Sequence, residues 1–276
     1  MKIIGFQGEK GAFSDEAANL YYSNSIKTVP CPDFETVFEK VSIRECDEGI
    51  VPIENSLTGS IHKNIDLLLN YSLSIQGEII IRIQHHLLSL QDIPITSLKK
   101  ILSHPQALDQ CSHFLQSIKD VEIVPYHDTA GAAKLIKNNN HGDFAAIAGK
   151  QAAKEYKLKI IKSNIENYKQ NYTRFIILTR DPFMEQKTGK ISVVLSLSDK
   201  PGSLYKCLGI FKEAEINLIK IESRPVIGYP WRYYFYIDFE NTNPDSFVIE
   251  PLLQELQNHS LFFRLLGIYP KGRIIE

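Results

Sequence analysis

Polar side chains that could bind or transform a small molecule gather in four short segments of the chain. Each segment begins where a hydrophobic, strand-like run ends, and the four cover residues 8–14, 51–56, 103–111 and 171–175. Open α/β sheets place their ligands at the carboxyl ends of strands. We therefore expect the four segments to meet in one site for an anionic, hydroxyl-bearing small molecule.

The first segment is rich in glycine and ends in a hydroxyl. Gly8 and Gly11 allow backbone N–H groups to turn toward an anion, and Ser14 stands at the start of the next predicted helix. The spacing matches neither a dinucleotide-binding glycine motif nor a phosphate-binding loop. A glycine-bearing turn in which Ser14 caps the helix explains the same residues without a ligand.

The second segment ends a strand with three different hydrogen-bonding side chains in succession. Glu54 offers a carboxylate, Asn55 an amide and Ser56 a hydroxyl, a combination that suits the recognition of a small polar ligand. Asparagine and serine also bond to their own backbone in ordinary turns. A polar turn is therefore an equal alternative for these residues.

The third and fourth segments carry amide, hydroxyl and guanidinium groups. Ser103 ends a strand, and Gln106 and Gln110 lie four residues apart, which places both amides on one face of the following helix. Thr173 stands beside Arg174 at the opening of another strand. Arg174 can clamp a carboxylate with two hydrogen bonds, or it can pair with an acid at the edge of the core.

Composition and charge exclude several classes of protein. The 276 residues carry 31 Lys+Arg against 32 Asp+Glu, a formal net charge of −1, so no global positive field exists to hold a nucleic acid or an anionic membrane. We expect neither partner. The chain also lacks the nucleophile elbow, the metal-binding helix motif and the reactive-cysteine pattern, which argues against a hydrolase or a metalloenzyme.

The cysteines and the start of the chain indicate the compartment. The four cysteines are scattered and form neither a redox pair nor a zinc-site spacing: Cys31, Cys46, Cys111 and Cys207. The chain has no apolar run of about 18 residues that would span a membrane, and its first residues lack the length of a signal-peptide core. These features predict a protein of the reducing cytoplasm.

Two domains are predicted, since 276 residues exceed the usual size of a single hydrophobic core. Residues 1–180 alternate short apolar runs with amphipathic segments of helical length, which predicts α/β layering. Strands are expected at residues 2–6, 49–53, 78–83, 100–103, 122–124, 144–148 and 171–179. Ser14, Asp33 and Thr129 are expected to cap helices.

A linker is predicted at residues 181–190, which contain Pro182 and Gly189. Residues 191–276 then follow the order βαββαβ of the ferredoxin-like unit. Its strands are expected at 191–197, 217–226, 231–240 and 262–269, and its helices at 203–214 and 244–257. Such a unit forms an antiparallel sheet with both helices on one face, and its other face and edges stay available to a second copy.

At these same segments the chain resembles the prephenate dehydratase family along nearly its whole length. The motifs that carry the resemblance are residues 8–14, 51–59, 103–111 and 128–130, the Thr-Arg-Phe signature within 171–175, and Glu-Ser-Arg-Pro at 222–225. The resemblance implies a bilobal α/β catalytic domain, similar in fold to type II periplasmic binding proteins. It also implies a C-terminal ACT domain that senses a ligand, and a chain with this one enzymatic activity.

The implied reaction turns prephenate into phenylpyruvate, with loss of water and carbon dioxide, on the route to phenylalanine. This reaction requires no metal and no cofactor. The resemblance makes Thr173 the residue that bonds the leaving hydroxyl. It makes Glu54 the nearest candidate proton donor, a role that requires burial of its carboxyl. Asn55, Ser103 and Gln110 complete the implied catalytic set. The implied substrate contacts are Ser14, Ser56, Thr129, Arg174 and Phe175.

The second domain resembles the phenylalanine-sensing module of the family. The resemblance implies that L-phenylalanine binds between two subunits, in a homodimer or tetramer, and lowers the activity of the catalytic domain. Its implied binding residues are Gly202, Ser203, Leu204, Asn217, Glu222, Ser223, Arg224 and Pro225. Ser203 departs from the alanine that is usual in the family, which bears on the affinity for the ligand.

Two other functions fit much of the same sequence. Arogenate dehydratase performs the same elimination on the amino-acid analogue of prephenate and shares nearly all of these motifs. A non-catalytic sensor of amino acids also combines this fold with an ACT unit. Thr173 within its signature argues against the sensor, whereas no residue of the sequence separates the two dehydratases.

Overall fold

The computed structural model describes residues 1–23, 25–181, 188–241 and 249–276. The chain divides into two compact units, and two of the four boundaries between them fall inside the strands at residues 74–82 and 172–179. Both strands are counted with unit 1. Unit 1 contains Met1–Tyr71, Ile79–Ile176 and Arg273–Glu276, and unit 2 contains Ser72–Glu78 and Ile177–Gly272. Within the described ranges, no helix is long and apolar enough to cross a membrane.

The elements of unit 1 alternate along the chain, as the apolar periodicity predicts. Its strands are β1 (Lys2–Gln7), β2 (Ile26–Cys31), β3 (Glu48–Asn55), β4 (Gly59–Ser60), β5 (Ser74–Arg82), β6 (His86–Ser89), β7 (Lys100–Ser103), β8 (Glu122–Pro125), β9 (Phe144–Ala148), β10 (Lys159–Lys162), β11 (Tyr172–Thr179) and, at the chain end, β16 (Arg273–Ile275). Its helices are α1 (Phe13–Tyr21), α2 (Phe34–Ser42), α3 (His62–Asn70), α4 (Pro105–Gln110), α5 (Ser112–Gln116), α6 (Thr129–Asn139) and α7 (Lys150–Tyr156).

Two sheets divide unit 1 into lobes. In the first lobe the strand order is β16-β5-β11-β3-β1-β2, with β4 paired to β3, and in the second lobe it is β10-β6-β9-β7-β8. Strand β1 pairs in parallel with β2 and β3, and β7 pairs in parallel with β8 and β9. Parallel pairing brings the carboxyl ends of these strands to one edge of each sheet, which is where ligands bind in such folds.

Two stretches of chain join the lobes, residues 83–85 after β5 and residues 163–171 before β11. They run beside each other and are called the hinge ribbon below. The backbone N–H of Ile83 donates to the carbonyl of Asn171 (2.7 Å), and the N–H of Ile165 donates to the carbonyl of His85 (2.9 Å). The N–H of His85 donates to the carboxylate of Glu166 (3.1 Å). These bonds hold the base of the cleft between the lobes.

The helix starts agree with the predicted caps at one place of three. Asp33 caps α2 as predicted, because its carboxylate accepts from the N–H of Thr36 (2.8 Å). Helix α1 begins one residue before Ser14, which therefore lies inside the first turn. Helix α6 is capped by Asp128 and not by Thr129. The predictions that Ser14 and Thr129 are N-caps are wrong, and both hydroxyls are instead first-turn groups.

Five strands of unit 1 carry no prediction from the sequence: β2, β4, β6, β10 and β16. Strand β2 contains Pro30, which is tolerated because β2 lies at the edge of its sheet. The other four have four residues or fewer, a length at which a local pattern detects some strands, such as β7 and β8, and misses others. Strand β16 also moves the chain end into unit 1, where it pairs in parallel with β5.

Unit 2 has the predicted βαββαβ order. Its elements are β12 (Gly189–Ser196), α8 (Ser203–Glu213), β13 (Leu218–Pro225), β14 (Tyr233–Asn241), α9 (Ile249–Asn258) and β15 (Phe262–Tyr269). The sheet order is β13-β14-β12-β15, with antiparallel neighbours. Both helices contribute to one core, through Phe211 of α8 and Leu252 and Leu256 of α9. The two helices therefore cover the same face of the sheet.

The predicted boundaries of unit 2 are tested only in part. Most of the predicted linker, residues 182–187, lies outside the described residues, and so does the predicted start of the second helix, because residues 242–248 are not described. Gly189 and Lys190, assigned to the linker, belong to β12. The predicted strand at 262–269 coincides with β15.

Candidate active site

The four polar segments meet at one cavity of about 520 Å³ in unit 1, a volume typical of small-molecule sites. Both lobes and the hinge ribbon contribute to its walls. The predicted site residues that line it are Ser14, Asn55, Gln110, Thr129, Thr173 and Phe175. Segments more than a hundred residues apart therefore supply one concave surface.

Asn55 fixes the orientation of the Thr173 hydroxyl. The side-chain oxygen of Asn55 accepts from the backbone N–H groups of Leu57 (3.0 Å) and Thr58 (3.1 Å), so its NH₂ group faces the other way. That NH₂ donates to the hydroxyl oxygen of Thr173 (3.0 Å). No described residue accepts from the Thr173 hydroxyl, so its proton is left for a partner in the cavity.

The same amide begins a chain of hydrogen bonds across the base of the cleft. Asn55 also donates to the side-chain oxygen of Asn171 (2.7 Å), and the NH₂ of Asn171 donates to the side-chain oxygen of Gln110 (3.1 Å). The ring nitrogen Nε2 of His85 lies 2.9 Å from that oxygen. The chain links β3 of the first lobe with α4 of the second through the hinge ribbon, and is called the amide chain below.

His85 ends the amide chain in a buried position. Its ring packs edge-on against Phe13, with ring centroids 5.5 Å apart. Burial lowers the pKa of His85 below its ordinary value of 6.5, against smaller opposing effects of the Gln110 bond and the Glu166 charge. The ring is therefore neutral at pH 7. Its Nδ1 atom is buried and has no hydrogen-bond partner among the described residues.

Four predicted residues do not line the cavity. Two of them, Glu54 and Arg174, are turned away from it because successive side chains of a strand point to opposite faces. Asn55 and Thr173 face the cavity, so their neighbours Glu54 and Arg174 face away from it. There Arg174 Nη1 lies 3.8 Å from Glu54 Oε2, and the Glu54 side chain is 39% exposed. This placement contradicts the expectations of a buried Glu54 proton donor and of an Arg174 that contacts the substrate in the cavity.

Two predicted serines bond to backbone outside the cavity. The hydroxyl of Ser103 is fully buried and donates to the carbonyl of Ile147 (2.6 Å), which ties β7 to β9. The hydroxyl of Ser56 donates to the carbonyl of Gln170 (3.0 Å) and accepts from the N–H of Tyr172 (2.9 Å). Both hydroxyls serve the fold here, and neither lines the cavity.

Five further side chains with ionisable groups line the cavity. Asp33 and Lys63 lie in the first lobe, and His104, His127 and Asp128 in the second. The cap bonds from Thr36 hold the pKa of Asp33 below its ordinary value, with a smaller contribution from Lys63. Burial lowers the pKa of His104. In the part of the chain that the structure describes, no three His, Cys, Asp or Glu side chains come together as a metal site.

Sequence reasoning missed three side chains at this site. His85 belongs to the polar run Gln84-His85-His86, which directly follows the strand predicted at residues 78–83, so the rule that selected the other segments would have selected it. Asn171 stands inside the fourth segment but not in the predicted site. Lys63 lies on α3 and gave no signal, because no local pattern brings that helix to the cavity.

The residues predicted to bind L-phenylalanine lie in two places of unit 2. Gly202 is the N-cap of α8 with φ +86°, a conformation that favours glycine, and the Ser203 hydroxyl lies 3.0 Å from that of Ser198. Leu204 and Asn217 are exposed. The remaining four lie on β13, which is an edge strand of the described sheet: Glu222, Ser223, Arg224 and Pro225.

Comparison with known proteins identifies relatives along nearly the whole chain. The chain is 42% identical to arogenate dehydratase/prephenate dehydratase 2 of Arabidopsis thaliana, over 97% of this chain and 72% of the relative. It is 34% identical to the bifunctional chorismate mutase/prephenate dehydratase of Aquifex aeolicus, over 99% of this chain and 75% of the relative.

Solved structures give the same result for the fold. Prephenate dehydratase of Arthrobacter aurescens in complex with L-Phe has a TM-score of 0.86 at 28% identity, over 97% of this chain and 89% of that one. A structure titled as a novel type of quorum quenching acylase, GqqA, has a TM-score of 0.87 at 30% identity over 98% of both chains. The family model for prephenate dehydratase matches residues 4–183. The chain belongs to the prephenate dehydratase family, whose members are lyases.

Proposed function

We propose that the chain converts prephenate into phenylpyruvate, water and carbon dioxide in the cavity of unit 1. The observation that carries this proposal is the Thr173 hydroxyl, whose oxygen is occupied by Asn55 and whose proton is left for a ligand. A dehydratase needs such a donor at the hydroxyl that leaves. The family membership of the chain supports the same reaction.

The reaction breaks two bonds of the substrate. Prephenate carries a carboxylate and a pyruvyl side chain on one ring carbon, and a hydroxyl on the carbon across the ring. The bond to the carboxylate breaks and its electron pair enters the ring, while the carbon–oxygen bond breaks with its pair on oxygen. One proton converts the departing hydroxide into water. Aromatisation supplies the driving force, so the protein has to orient the ring and stabilise the leaving oxygen.

The lining residues suit this task. Thr173 acts as an oriented hydrogen-bond donor, because a threonine hydroxyl is too weak an acid to give up its proton. Gln110 supplies a second donor from the other lobe. Lys63 attracts the carboxylates of the dianion. Its side chain is exposed, so the cavity reaches water. Water supplies the proton that the departing hydroxide takes up. Ser14 stands in the first turn of α1, where helix geometry favours an anion.

Arogenate is the second candidate substrate, because the plant relatives are named arogenate dehydratases. Arogenate carries an ammonium group where prephenate has a keto oxygen. Asp33 lines the cavity together with Lys63, so one wall offers a carboxylate for the ammonium and a cation for the neighbouring carboxylate. This pair is the observation that favours arogenate as an additional substrate.

We further propose that unit 2 is an ACT domain that binds L-phenylalanine between two copies of the chain and lowers the rate. The βαββαβ topology and the edge position of β13 support this proposal. The exposed Ile219 and Ile221 of β13 supply apolar surface for a second copy. The relative from Arthrobacter aurescens was solved in complex with L-Phe. The cysteines are free and buried, which fits a reducing compartment such as the cytoplasm.

The test is to incubate the purified chain with prephenate, and separately with arogenate, and to follow phenylpyruvate and phenylalanine. We expect phenylpyruvate from prephenate, and a lower rate when L-phenylalanine is added to millimolar concentration. Phenylalanine formed from arogenate alone would transfer the assignment to arogenate dehydratase. Absence of product from both substrates would favour a non-catalytic sensor, and rates unchanged by phenylalanine would exclude the regulatory proposal.

A further inference from the structure

We propose that His85 is a positioning residue that keeps the carboxamide N–H groups of Gln110 turned toward the cavity. The proposal rests on the proposed function in one respect, since it assumes that Gln110 acts on the substrate. His85 lies at the end of the amide chain, in the hinge ribbon, and its Nε2 atom is 2.9 Å from Gln110 Oε1.

The direction of every bond in the amide chain follows from its first member. Two backbone N–H groups, those of Leu57 and Thr58, fix the side-chain oxygen of Asn55, and backbone amides can only donate. The Asn55 NH₂ therefore faces Asn171 and must donate to its oxygen. Reversal of any later amide would bring two donors or two acceptors together at a distance of about 3 Å, which is repulsive.

The same logic fixes Gln110 and the tautomer of His85. Asn171 turns its NH₂ toward Gln110, so Gln110 presents its oxygen to Asn171 and to His85. His85 must then donate through Nε2–H. A neutral ring carries one proton, so Nδ1 has none, and its lone pair faces no hydrogen-bond partner among the described residues. The direction of the amide chain thus gives the tautomer.

The NH₂ group of Gln110 is the part of its amide that can bind a ligand in the cavity. Its oxygen receives two hydrogen bonds, and its NH₂ has no partner among the described residues. Gln110 lines the cavity, so the NH₂ is the group left for a ligand. Without the Nε2–H of His85, one of the two bonds that hold the oxygen inward is lost. The amide is then held by the Asn171 bond alone, and its donor group is less firmly fixed where the reaction needs it.

Two substitutions at His85 separate this role from simple packing. In His85→Gln the new amide N–H reaches the place of Nε2, whereas in His85→Asn the side chain ends at the place of Nδ1. We expect His85→Asn to lower kcat about tenfold or more, the effect of one unsatisfied buried partner, with a smaller change in KM. We expect His85→Gln to restore kcat to within a few-fold of the unmodified chain.

A matched control stands next in the chain. His86 does not line the cavity, and its Nδ1 accepts from the N–H of Asn164 (3.1 Å). His86→Asn keeps an acceptor at that place, so its kcat is expected to stay within about twofold of the unmodified chain. Equal losses in His85→Gln and His85→Asn would overturn the proposal, as would full activity in both, or activity kept by His85→Asn and lost by His85→Gln.

A second measurement needs no turnover. Long-range ¹H–¹⁵N correlation spectra of the unliganded chain at pH 7 report the tautomer of each histidine, and His85→Gln assigns the signal of His85 by its disappearance. We expect a neutral ring protonated at Nε2. A ring protonated at Nδ1, or at both nitrogens, would overturn the proposal even if neither prephenate nor arogenate proves to be a substrate.

Discussion

At the scale of single residues, the site depends on which side-chain atoms already have a hydrogen-bond partner within the protein. Asn55 donates a hydrogen bond to the Thr173 oxygen, so the Thr173 O–H can donate to a departing hydroxyl. The same hydroxyl with an empty oxygen could rotate and accept from the substrate instead. The chemical role of Thr173 is therefore set by a neighbour that need not touch the substrate itself.

Replacement of the Thr173 hydroxyl tests this role directly. Thr173→Val keeps the branched shape at a position that is 7% exposed, but it removes the donor. We expect kcat to fall by about 100-fold or more, in the range of an oriented proton-transfer or hydrogen-bonding group. Thr173→Ser keeps the hydroxyl and is the matched control, with a loss below about tenfold. Steady-state kinetics with prephenate measure both, and equal kcat values for the two variants would contradict the role.

Asn55→Asp tests the direction of the amide chain. The carboxylate has no N–H, so it meets the oxygen of Asn171, 2.7 Å away, as an acceptor facing an acceptor, and it draws the Thr173 proton toward itself and away from the cavity. We expect the free energy of unfolding to fall by about 1–3 kcal/mol, the cost of a buried polar group without its partner, and kcat to fall with it. Urea denaturation followed by fluorescence measures the first effect. Unchanged stability together with unchanged kcat would show that the amide chain has no directional role.

At the scale of elements, the alternation of side chains along a strand decides which of the predicted site residues line the cavity. Glu54 is next to Asn55 in the sequence, and Arg174 is next to Thr173. All four residues are therefore predicted to belong to one site. A strand turns neighbours to opposite faces, so only Asn55 and Thr173 reach the cavity. Alternation was available from the sequence, but which face meets the second lobe depends on contacts between distant segments. For that reason the segments could be predicted and their individual members could not.

The glycine loop between β1 and α1 shows how closely the lobes approach each other. Gly11 has φ +83°, and a Cβ placed on it would lie 2.7 Å from Cα of Ala152 in α7 of the second lobe. The same loop receives a bond from the hydroxyl of Tyr156 (2.8 Å) to the carbonyl of Lys10. A side chain at Gly11 would therefore clash with the backbone of Ala152, and relief of the clash requires one of the two backbones to move.

Gly11→Ala is expected to destabilise unit 1 by about 2 kcal/mol or more, because it combines a strained φ with overpacking. The melting temperature from differential scanning calorimetry checks the change. Gly142→Ala is the matched control, since Gly142 has nothing within 4 Å of its Cβ position and no positive φ, and its melting temperature is expected to stay near that of the unmodified chain. Equal melting temperatures for all three chains would show that the lobes do not meet tightly at this loop.

At the scale of the whole chain, the division into units could be predicted only in outline. A change from α/β alternation to βαββαβ order marks where the second unit begins, and this regular pattern is visible locally. Strand β16, which returns the last residues to unit 1, has only three residues and pairs with β5 about two hundred residues earlier. Nothing in a run of three residues specifies such a partner, because pairing over long separations is selected by the assembled sheet edge and not by local periodicity.

Three buried or partly buried histidines make the stability of unit 1 depend on pH. Burial lowers the pKa of His85, His86 and His104 below the ordinary 6.5. In the unfolded chain these rings take up protons as the pH falls through about 6.5, whereas in the folded chain they stay neutral to lower pH. The unfolded state then binds more protons, so stability decreases as the pH falls. Glu16, whose pKa burial raises, acts in the opposite sense nearer its own ordinary value of 4.5.

We therefore expect the free energy of unfolding to be lower at pH 5.5 than at pH 7.5. Each histidine that stays neutral contributes at most about 1.4 kcal/mol per pH unit below its unfolded pKa. His85→Gln removes one of these groups and should reduce the decrease between the two pH values by up to about that amount. Urea denaturation of both chains at pH 7.5, 6.5 and 5.5 measures the slopes. A slope that is the same in His85→Gln would mean that His85 takes up its proton in the folded chain as readily as in the unfolded one, contrary to its burial between Phe13 and Gln110.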